Sequence, residues 1–510
     1  MKYSLYLFIL LKFVLQYSLI DPSYDLQRDE YLHLDQAHHL AWGYISVPPF
    51  TSWISWIILQ LGNGIFWVHF FPCFFGALTL LVVWKTIESL GGNRFALYLG
   101  ALSVLLSAIL RINTLFQPNS FDVFAWTTCY YLLIRFIQSQ QSKWLIYLAV
   151  VWGFGFLNKY NIAFLILGLI PALLVSEQRK IFLQKQVYIA AGISLLIILP
   201  NLIWQFQHDF PVIYHMKLLT KIQLVHVDRL DFLKNQVLFF IGSFFVLLAA
   251  CWALLVYPPF KKFQFLFWNL VFTLAIFLYF KAKDYYAVGL YPIYLAFGSV
   301  YIAHLLQDGW KKYLQLLALA IPCLMFVPLY SYVFPNKPAT SMLAEKEVYQ
   351  KLGFLRWEDG KEHHIPQDFA DMLGWKELAQ KLDSISSTLS PSNLDSTILL
   401  CDNYGQAGAI NYYSKSKSLK AYSMNADYAR WIPLDKTIKH VILVKEQDDD
   451  DPERSIEKAF FEQVYMAAVR KNHMAREAKI SIYVLKNAKF DLNSRLQKEV
   501  NQALDMHIDE

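Results

Sequence analysis

The sequence contains little cysteine, and the positions of the few cysteines exclude two common uses of that residue. Four of the five, Cys73, Cys129, Cys251 and Cys323, lie in apolar runs, and only Cys401 lies in a polar region. A lone cysteine in the polar region forms no intramolecular disulfide there, and no cysteine and histidine spacing matches a zinc site. The sequence therefore predicts neither a disulfide scaffold nor a zinc-stabilised domain.

Charge is also scarce, and it is unevenly distributed. Charged residues make up 17% of the 510 residues, against 56% hydrophobic residues. Residues 1–333 contain 22 Lys and Arg and 13 Asp and Glu, whereas residues 334–510 contain 24 and 27. Apolar runs typical of transmembrane helices also stop near residue 333. We therefore predict a transmembrane domain over 1–333 and a soluble domain over 334–510. The basic excess belongs to membrane loops, so no nucleic-acid partner is predicted.

The first apolar run lacks the small residues of a signal-peptide cleavage site, so we interpret it as a retained span. Lys12 in its middle is expected to reach towards the membrane surface or to face other helices. A polar NKYN sequence divides the run 144–176 into two spans. The pattern predicts eleven transmembrane helices, near residues 3–20, 63–84, 95–111, 121–138, 144–158, 161–176, 187–205, 235–256, 263–280, 286–305 and 313–333.

The charges in the loops predict the orientation. With the N-terminus in the cytoplasm, the inner loops contain twelve Lys and Arg and the outer loops nine, a modest positive-inside margin. Ten of the thirteen acidic residues then lie outside. An odd number of spans also places the soluble domain outside. That domain is predicted to be α/β, with strands at 398–402, 440–446 and 479–487 and helices at 371–385 and 452–472.

The first outer loop, RDEYLHLDQAHHLAWGYISVPPF (28–50), concentrates ionisable residues directly after a span. Asp29 and Glu30 are adjacent, so their side chains diverge, and one carboxylate at a water-filled cleft could act as a general base. Arg28 would lower the pKa of that base, whereas burial would raise it. A solvated connector is the alternative. A metal site is a further possibility, formed by His33, His38 and His39.

Three later loops contain polar residues at outer span ends. Asp122 lies in a first helical turn, where a carboxylate interacting with the helix dipole is the alternative to a functional role. Lys159 follows a span, and Lys283, Tyr285 and Tyr286 stand in KAKDYYAVGLYP. Lysine and tyrosine at headgroup depth can hold a phosphate, although they also occur as membrane-belt residues. Carboxylates and lysines together suit a reaction in which an activated hydroxyl displaces a lipid phosphate from a sugar.

Several stretches together resemble the family-39 glycosyltransferases, which include protein O-mannosyltransferases and lipid A aminoarabinose transferases, and most of all the bacterial branch of that family. These stretches are RDEYLHLDQAHHLAWGYISVPPFTSW, FQPNSFDVFAW, GFGFLNKYN, PNLIWQFQHDFP, KAKDYYAVGLYP, PQDFADMLGWKELAQ and DNYGQAGAINYY. The resemblance implies a mainly α, polytopic membrane protein with the GT-C fold and a soluble outer domain.

The resemblance also implies roles for particular residues. Asp29 would be the general base and Glu30 its support, and Asp122 would correspond to a second-loop acid of the family. The donor phosphate would be bound by Lys159, Lys283, Tyr285, Tyr286 and Arg28. The metal-binding histidine and glutamate of some relatives have no clear equivalent here, so no cofactor is assigned and a divalent metal remains a possibility.

The sequence thus predicts a glycosyltransferase of the bacterial inner membrane. It would transfer a sugar, with inversion, from a polyprenyl-phosphate donor to a hydroxyl of a lipid, glycan or protein on the periplasmic face. The prediction requires Asp29 and Lys283 to share one pocket at the outer leaflet. A transporter or flippase of lipid-linked sugars is the alternative, but it should show paired halves and mid-span charges, which this sequence lacks. A receptor with a binding tail is a third possibility.

Overall fold

The computed structural model describes residues 2–416, 419–446 and 451–505. Its first part is a bundle of apolar helices with two short helices, α2 and α3, in the first outer loop. The helices of this part are α1 (Lys2–Tyr17), α2 (Arg28–Asp35), α3 (Phe50–Gln60), α4 (Ile65–Ser89), α5 (Arg94–Leu105), α6 (Ala108–Ile112), α7 (Asn119–Ser139), α8 (Lys143–Asn158), α9 (Ala163–Leu174), α10 (Lys185–Gln207), α11 (Pro211–Ile222), α12 (Arg229–Leu238), α13 (Phe244–Val256), α14 (Phe265–Tyr279), α15 (Pro292–Leu305) and α16 (Leu314–Tyr332).

An apolar helix overlaps each of the eleven predicted spans. Among the described residues, three helical segments are long and apolar enough to cross a membrane, Ile65–Ser89, Lys185–Gln207 and Gly309–Tyr332, and the number rises to six if each bent pair counts as one span. The bent pair Asp284–Leu290 and Pro292–Leu305 begins directly after Lys283 and turns by 51° at the break between its two helices. The count of eleven spans therefore stays a prediction, whereas the polytopic helical architecture is confirmed.

Two buried polar side chains within the bundle illustrate the pairing that an apolar surrounding favours. The hydroxyl of Tyr130 donates to Oδ1 of Asn269 at 2.5 Å, which links α7 to α14. Lys12 is buried in the bundle, where its Nζ donates to the Gln16 side chain. It therefore faces neighbouring helices, the second of the two expected orientations.

The soluble part is an α/β tail built on a five-stranded sheet of order β2-β1-β3-β5-β4. Strand β1 is parallel to both β2 and β3, whereas β5 is antiparallel to β3 and β4. Its elements are α17 (Ala339–Ala344), α18 (Lys346–Lys351), α19 (Gln367–Ala370), α20 (Trp375–Ser386), α21 (Pro391–Asp395), β1 (Thr397–Cys401), α22 (Tyr404–Tyr413), β2 (Ala421–Ser423), β3 (His440–Glu446), α23 (Ser455–Phe460), β4 (Phe461–Lys471), β5 (Lys479–Ala488) and α24 (Leu492–Asp505).

The three predicted strands are confirmed within one residue at each end. The predicted helix over 452–472 is wrong: only Ser455–Phe460 is helical, and Phe461–Lys471 forms an edge strand paired with β5. The predicted division between residues 333 and 334 falls in the connection between α16 and α17 and stays a prediction.

The tail packs directly on the first outer loop, because α22 lies across α2. The side chain of Tyr31 on α2 is fully buried, and its ring lies 5.8 Å from that of Tyr413 on α22. One buried apolar core continues from the helical bundle through α2 into the sheet. This contact brings residues near position 404 to the outer end of the bundle.

Candidate active site

The start of α2 holds the two adjacent carboxylates in a capping box. Gln27 is the N-cap; its side chain accepts from the backbone N–H of Asp29 at 2.8 Å, while the Glu30 carboxylate accepts from the backbone N–H of Gln27 at 2.7 Å. Such reciprocal bonds satisfy the free N–H groups of a helix start, and acids there interact favourably with the helix dipole. The two side chains diverge, as the sequence predicted.

Glu30 points into the protein and joins the first outer loop to the second. Its Oε1 accepts from the backbone N–H of Phe116 at 2.6 Å, and the side chain is fully buried. Burial raises the pKa of Glu30 to about 7, against the opposing effect of the two backbone N–H groups. With both oxygens bonded to backbone, Glu30 supports the shape of the site.

Asp29 points the other way and remains partly exposed. Its Oδ1 accepts from the hydroxyl of Tyr404 at 2.7 Å, and its Oδ2 accepts from Nε2 of Gln117 at 3.3 Å. The first donor comes from the soluble tail and the second from the loop before α7. Asp29 therefore lies where the first two outer loops and the tail meet.

A chain of side-chain hydrogen bonds connects Asp29 to Lys159. Beyond Gln117, whose Oε1 accepts from Nδ2 of Asn119 at 2.9 Å, the Asn119 Oδ1 accepts from Nζ of Lys159 at 2.7 Å. Only the two side chains of Gln117 and Asn119 separate the carboxylate from the ammonium group. The predicted base and one predicted phosphate ligand therefore belong to one cluster.

Lys159 also faces the predicted tyrosine pair. Its Nζ lies 4.2 Å from the ring centroid of Tyr286 and 5.1 Å from that of Tyr285, both within the range of a cation–π interaction. The two tyrosine rings meet edge to face, with centroids 4.9 Å apart. The structure thus brings together three of the five residues predicted to bind phosphate.

Asp122 is buried beside this group, with both carboxylate oxygens bonded. Oδ1 accepts from Nε1 of Trp126 at 3.2 Å, and Oδ2 accepts from Nδ2 of Asn161 at 2.8 Å. The same Asn161 amide donates to the backbone carbonyl of Tyr286 at 3.0 Å. This geometry suits a carboxylate that holds the lysine and tyrosine group in place.

Lys283 lies next to the same group and pairs with the tail. Its Nζ is 2.5 Å from Oε1 of Glu358. Burial lowers the pKa of Lys283, but the negative charge of Glu358, with contributions from Tyr286 and Asp29, raises it overall. The pocket shared by Asp29 and Lys283 stays a prediction.

Arg28, the fifth predicted phosphate ligand, is directed towards the tail. Its guanidinium carbon lies 4.5 Å from the centroid of the Tyr404 ring, and its backbone N–H donates to the carbonyl of Asp371 at 3.1 Å. The Asp371 carboxylate in turn pairs with Arg476 at 3.0 Å. Arg28 therefore contacts the soluble domain.

The other ionisable residues of the first loop also bind the tail. Oδ2 of Asp35 accepts from Nδ2 of Asn411 at 2.7 Å and from the Tyr428 hydroxyl at 2.6 Å. His39 stacks on Trp431 with ring centroids 4.2 Å apart, and burial lowers the pKa of His39 to about 4. Much of the charge in this loop therefore serves to dock the soluble domain.

The histidines of this loop do not assemble a metal site in the described part of the chain. Nδ1 of His33 contacts the Gln36 amide oxygen at 3.3 Å, and burial lowers the pKa of His33. Among residues 2–416, 419–446 and 451–505, no three His, Cys, Asp or Glu side chains lie close enough together to hold a metal ion.

A small apolar cavity lies on the bundle side of Gln117, which is one of its lining residues. Its walls are mainly aromatic rings and small side chains, and its volume of about 10 Å³ has room for one water molecule but not for a lipid chain or a sugar. The lining residues are Phe50, Thr51, Ile54, Pro72, Phe75, Phe116, Gln117, Phe121 and Asn158.

Sequence reasoning missed three residues of this cluster, Tyr404, Gln117 and Glu358. Tyr404 stands in DNYGQAGAINYY, a stretch that carried the family resemblance without an assigned role. Gln117 lies in FQPNSFDVFAW, a stretch in which a role was predicted only for Asp122. No sequence pattern pointed to Glu358, because a single acidic residue in a charged tail does not reveal its partner, Lys283.

The fold and part of the sequence match known glycosyltransferases. Residues 46–204 match the family model described as dolichyl-phosphate-mannose-protein mannosyltransferase. The lipid A galacturonosyltransferase RgtD of Rhizobium johnstonii is 26% identical over 373 residues, which is 67% of this chain and 76% of that protein.

Two solved structures of ArnT from Cupriavidus metallidurans share the fold. The structure bound to undecaprenyl phosphate has a TM-score of 0.62 and 14% identity, and the apo structure has 0.63 and 15%. Each comparison covers 94% of this chain and 97% of the other. The predicted GT-C fold is confirmed, and the tail is included in the match.

The predicted class is a multi-pass membrane glycosyltransferase, and these similarities confirm it. The transporter alternative receives no support.

Proposed function

We propose that the chain transfers a sugar from a polyprenyl-phosphate donor to a hydroxyl of a membrane lipid, with Asp29 as general base. The observation that carries the proposal is the hydrogen-bonded path from Asp29 through Gln117 and Asn119 to Lys159. It joins the proposed base to a proposed phosphate-binding cation. Undecaprenyl phosphate bound to ArnT supports the donor class, and the lipid A named for RgtD supports a lipid acceptor.

In the proposed reaction, Asp29 accepts the proton of the acceptor hydroxyl as its oxygen attacks the anomeric carbon of the donor sugar. The bond between that carbon and the phosphate oxygen breaks, and polyprenyl phosphate leaves with the electron pair. Attack from the face opposite the leaving phosphate inverts the anomeric centre. Because the charge on the phosphate grows as the bond breaks, fixed cations nearby stabilise the transition state.

Lys159 and Lys283 would supply that charge, and the hydroxyls of Tyr285 and Tyr286 would supply hydrogen bonds. The Lys159 ammonium is held by Asn119 and the face of Tyr286, so little reorganisation would accompany the reaction. Arg28 is left out of this group, because its guanidinium packs on Tyr404.

The proposed sidedness is a cytoplasmic N-terminus with the loops of the site and the tail on the periplasmic face of the inner membrane. The loop charges support it, and the contacts between α2 and α22 require the first loop and the tail to share one side. Labelling of single cysteines introduced at exposed Lys346 and Lys85 with an impermeant reagent tests it. Only the first should react in intact cells whose outer membrane has been made permeable.

The test of the function is sugar transfer by the purified full-length protein. Labelled polyprenyl-phosphate sugars are incubated with a lipid extract, and the products are identified by mass spectrometry. Asp29→Asn should fold but transfer at least about 100-fold more slowly, since general-base catalysis contributes about 10²–10⁴-fold. Asp21→Asn, in the segment before α2, is the matched control; the Asp21 Oδ1 accepts from the backbone N–H of Ser23 at 2.9 Å. Wild-type rates in Asp29→Asn would overturn the proposal.

A further inference from the structure

We propose that Tyr404, a residue of the soluble tail, is a positioning residue for the Asp29 carboxylate, so that the tail completes the active site. The inference rests on the proposed role of Asp29 as general base. The Tyr404 hydroxyl donates to Oδ1 of Asp29 at 2.7 Å, across 375 positions of the sequence. It is the shorter of the two side-chain hydrogen bonds to that carboxylate, since the one from Gln117 is 3.3 Å.

The backbone of Tyr404 is fixed because it is the first residue of α22. Asn403 caps this helix, and its Oδ1 accepts from the backbone N–H groups of Gly405 at 3.0 Å and Gln406 at 3.2 Å. The other end of the Asn403 side chain donates to Oε1 of Glu477 at 2.9 Å. Oε2 of Glu477 accepts from the Gln406 side chain at 2.7 Å. Two carboxylate oxygens of β-hairpin residue Glu477 therefore hold the helix start.

The ring of Tyr404 is fixed as well. The guanidinium of Arg28 lies 4.5 Å above its centroid, and the backbone of Arg28 is bonded to Asp371. Arg28 and Asp29 are neighbours in sequence, and both contact Tyr404. Arg28 packs on the face of its ring, and Asp29 accepts a hydrogen bond from its hydroxyl. A side chain held at both places can orient a carboxylate with little loss of conformational entropy.

The chemistry of the phenol suits this task. Burial, together with the charge of Asp29, raises the pKa of Tyr404, so the hydroxyl stays protonated and remains a donor at neutral pH. A phenol bonded to Oδ1 restricts rotation of the carboxylate and so fixes the direction of its other oxygen. Oδ2, with its longer bond to Gln117, is left better able to receive the acceptor proton.

A purely docking role for this bond makes different predictions. If Tyr404 only attaches the tail, its loss should change stability without changing the pH dependence of the rate. A positioning role changes the rate and its pH profile while donor binding is retained. The pH profile of kcat/KM therefore distinguishes the two roles.

The decisive variant is Tyr404→Phe in the full-length protein, which keeps the ring below Arg28 and removes only the hydroxyl. We expect kcat to fall about 10- to 100-fold, since hydrogen bonds to charged groups are worth about that factor, with donor KM changed less than twofold. The acid limb of the kcat/KM profile should move to higher pH by about one unit, because the ionised carboxylate has lost a donor.

Tyr412→Phe is the matched control. Tyr412 lies on the same helix and donates to the carbonyl of Asn63 at 2.8 Å, without contacting a carboxylate. This variant should keep the wild-type rate and pH profile. If it shows the same shift as Tyr404→Phe, the effect comes from docking of α22 and the inference is overturned.

A second measurement covers the case in which Tyr404→Phe does not fold. Incorporation of 3-fluorotyrosine at position 404 makes the phenol a stronger donor with almost unchanged shape, so the acid limb should move to lower pH. If the acid limb of the kcat/KM profile stays at the wild-type pH, the inference is overturned. Asp29→Asn, measured in parallel, separates the two failures: an active Asp29→Asn overturns the proposed function, whereas an inactive Asp29→Asn with a normal Tyr404→Phe overturns only the role of Tyr404.

Discussion

The Nζ atom of Lys283, in the connection between α14 and α15, lies 2.5 Å from Oε1 of Glu358 in the soluble tail. The Lys283 side chain is 17% exposed and that of Glu358 is 40% exposed, so the pair is open to solvent on the side of the tail. Glu358 is further held by Gln367, whose Nε2 donates to Oε2 at 3.2 Å. A donor phosphate that binds Lys283 must therefore compete with a carboxylate that is already in place.

This competition predicts the effect of Glu358→Gln. Affinity for undecaprenyl phosphate should rise about two- to fivefold, because solvent-exposed ion pairs are worth only about 0.2–1 kcal/mol. Lys283→Met should lower the affinity about tenfold or more, since it removes a charge-assisted bond to the phosphate. Isothermal titration calorimetry on the detergent-purified protein measures both effects.

Glu362→Gln is the control for these measurements, because Oε2 of Glu362 accepts from Gln350 and the residue does not pair with Lys283. It should leave the affinity unchanged. Equal affinity in Glu358→Gln and wild type, with weak binding by Lys283→Met, would show that the phosphate binds without separating the pair.

Glu30 predicts a pH-dependent contribution to stability. Burial raises its pKa from 4.5 to about 7, so the folded protein resists its ionisation more than the unfolded chain does. Its contribution is therefore greatest below pH 4.5 and is lost as the pH rises towards about 7. Glu30→Gln cannot ionise, and it should destabilise by about 1–3 kcal/mol because one of the two backbone N–H groups loses its acceptor.

The measurement is the difference in melting temperature between wild type and Glu30→Gln, followed by tryptophan fluorescence. The difference should be larger at pH 5 than at pH 7.5. A difference that grows with pH would mean that the carboxylate is stabilised in its ionised form, contrary to the burial of Glu30.

We expect the effects of substituting Asp122 and Lys159 on stability to depend on each other. Asp122 is buried and bonded to Trp126 and Asn161, and its charge also acts on Lys159. Asp122→Asn should lower stability by about 1–3 kcal/mol, because two buried donors lose a charged acceptor, and adding Lys159→Met should recover part of that loss, because the lysine charge that has lost its nearby carboxylate is then removed. The double variant should nevertheless stay inactive, because the proposed phosphate ligand is missing.

A double-mutant cycle of melting temperatures, with transfer assays on the same preparations, measures these effects. Additive stability losses would show that the two charges act independently. Recovered activity in the double variant would remove Lys159 from the proposed phosphate site.

The first outer loop shows where prediction from sequence succeeded and where it stopped. The adjacency of Asp29 and Glu30 predicted divergent side chains, and the structure has them. The roles of Arg28 and Asp35 could not be predicted, because their partners Tyr404 and Asn411 are more than 370 positions away. Loop charge that looked functional is used largely to dock the tail, and local pattern contains no information about such long-range partners.

In the region 452–472, local helix propensity led to a wrong prediction of secondary structure. Glu, Gln, Met and Ala favour helices, and the sequence from 455 to 460 does form one. The next eleven residues, Phe461–Lys471, pair with β5 instead. As an edge strand with a mostly exposed face, β4 needs no regular alternation of apolar residues, so its pattern did not reveal it. Tertiary pairing determined the structure here.

The close approach of α22 to α2 at Gly408 predicts that a larger side chain at this position would separate the two helices. A Cβ atom at this position of α22 would lie 2.7 Å from Cβ and 3.1 Å from the carbonyl carbon of Tyr31 on α2. The second contact is with backbone, which cannot rotate away, so Gly408→Ala should push α22 off α2. We expect a loss of about 1–3 kcal/mol in stability, typical of overpacking.

Because Tyr404 lies one turn before Gly408 on the same helix, the displacement should also lengthen its bond to Asp29. Gly408→Ala should therefore reproduce the pH shift expected of Tyr404→Phe, with the tyrosine still present. Gly192→Ala is the control, since nothing lies within 4 Å of the added methyl group. A Gly408→Ala protein that is destabilised but has the wild-type rate and pH profile would show that catalysis tolerates movement of the tail, and that the contact between α22 and α2 serves assembly alone.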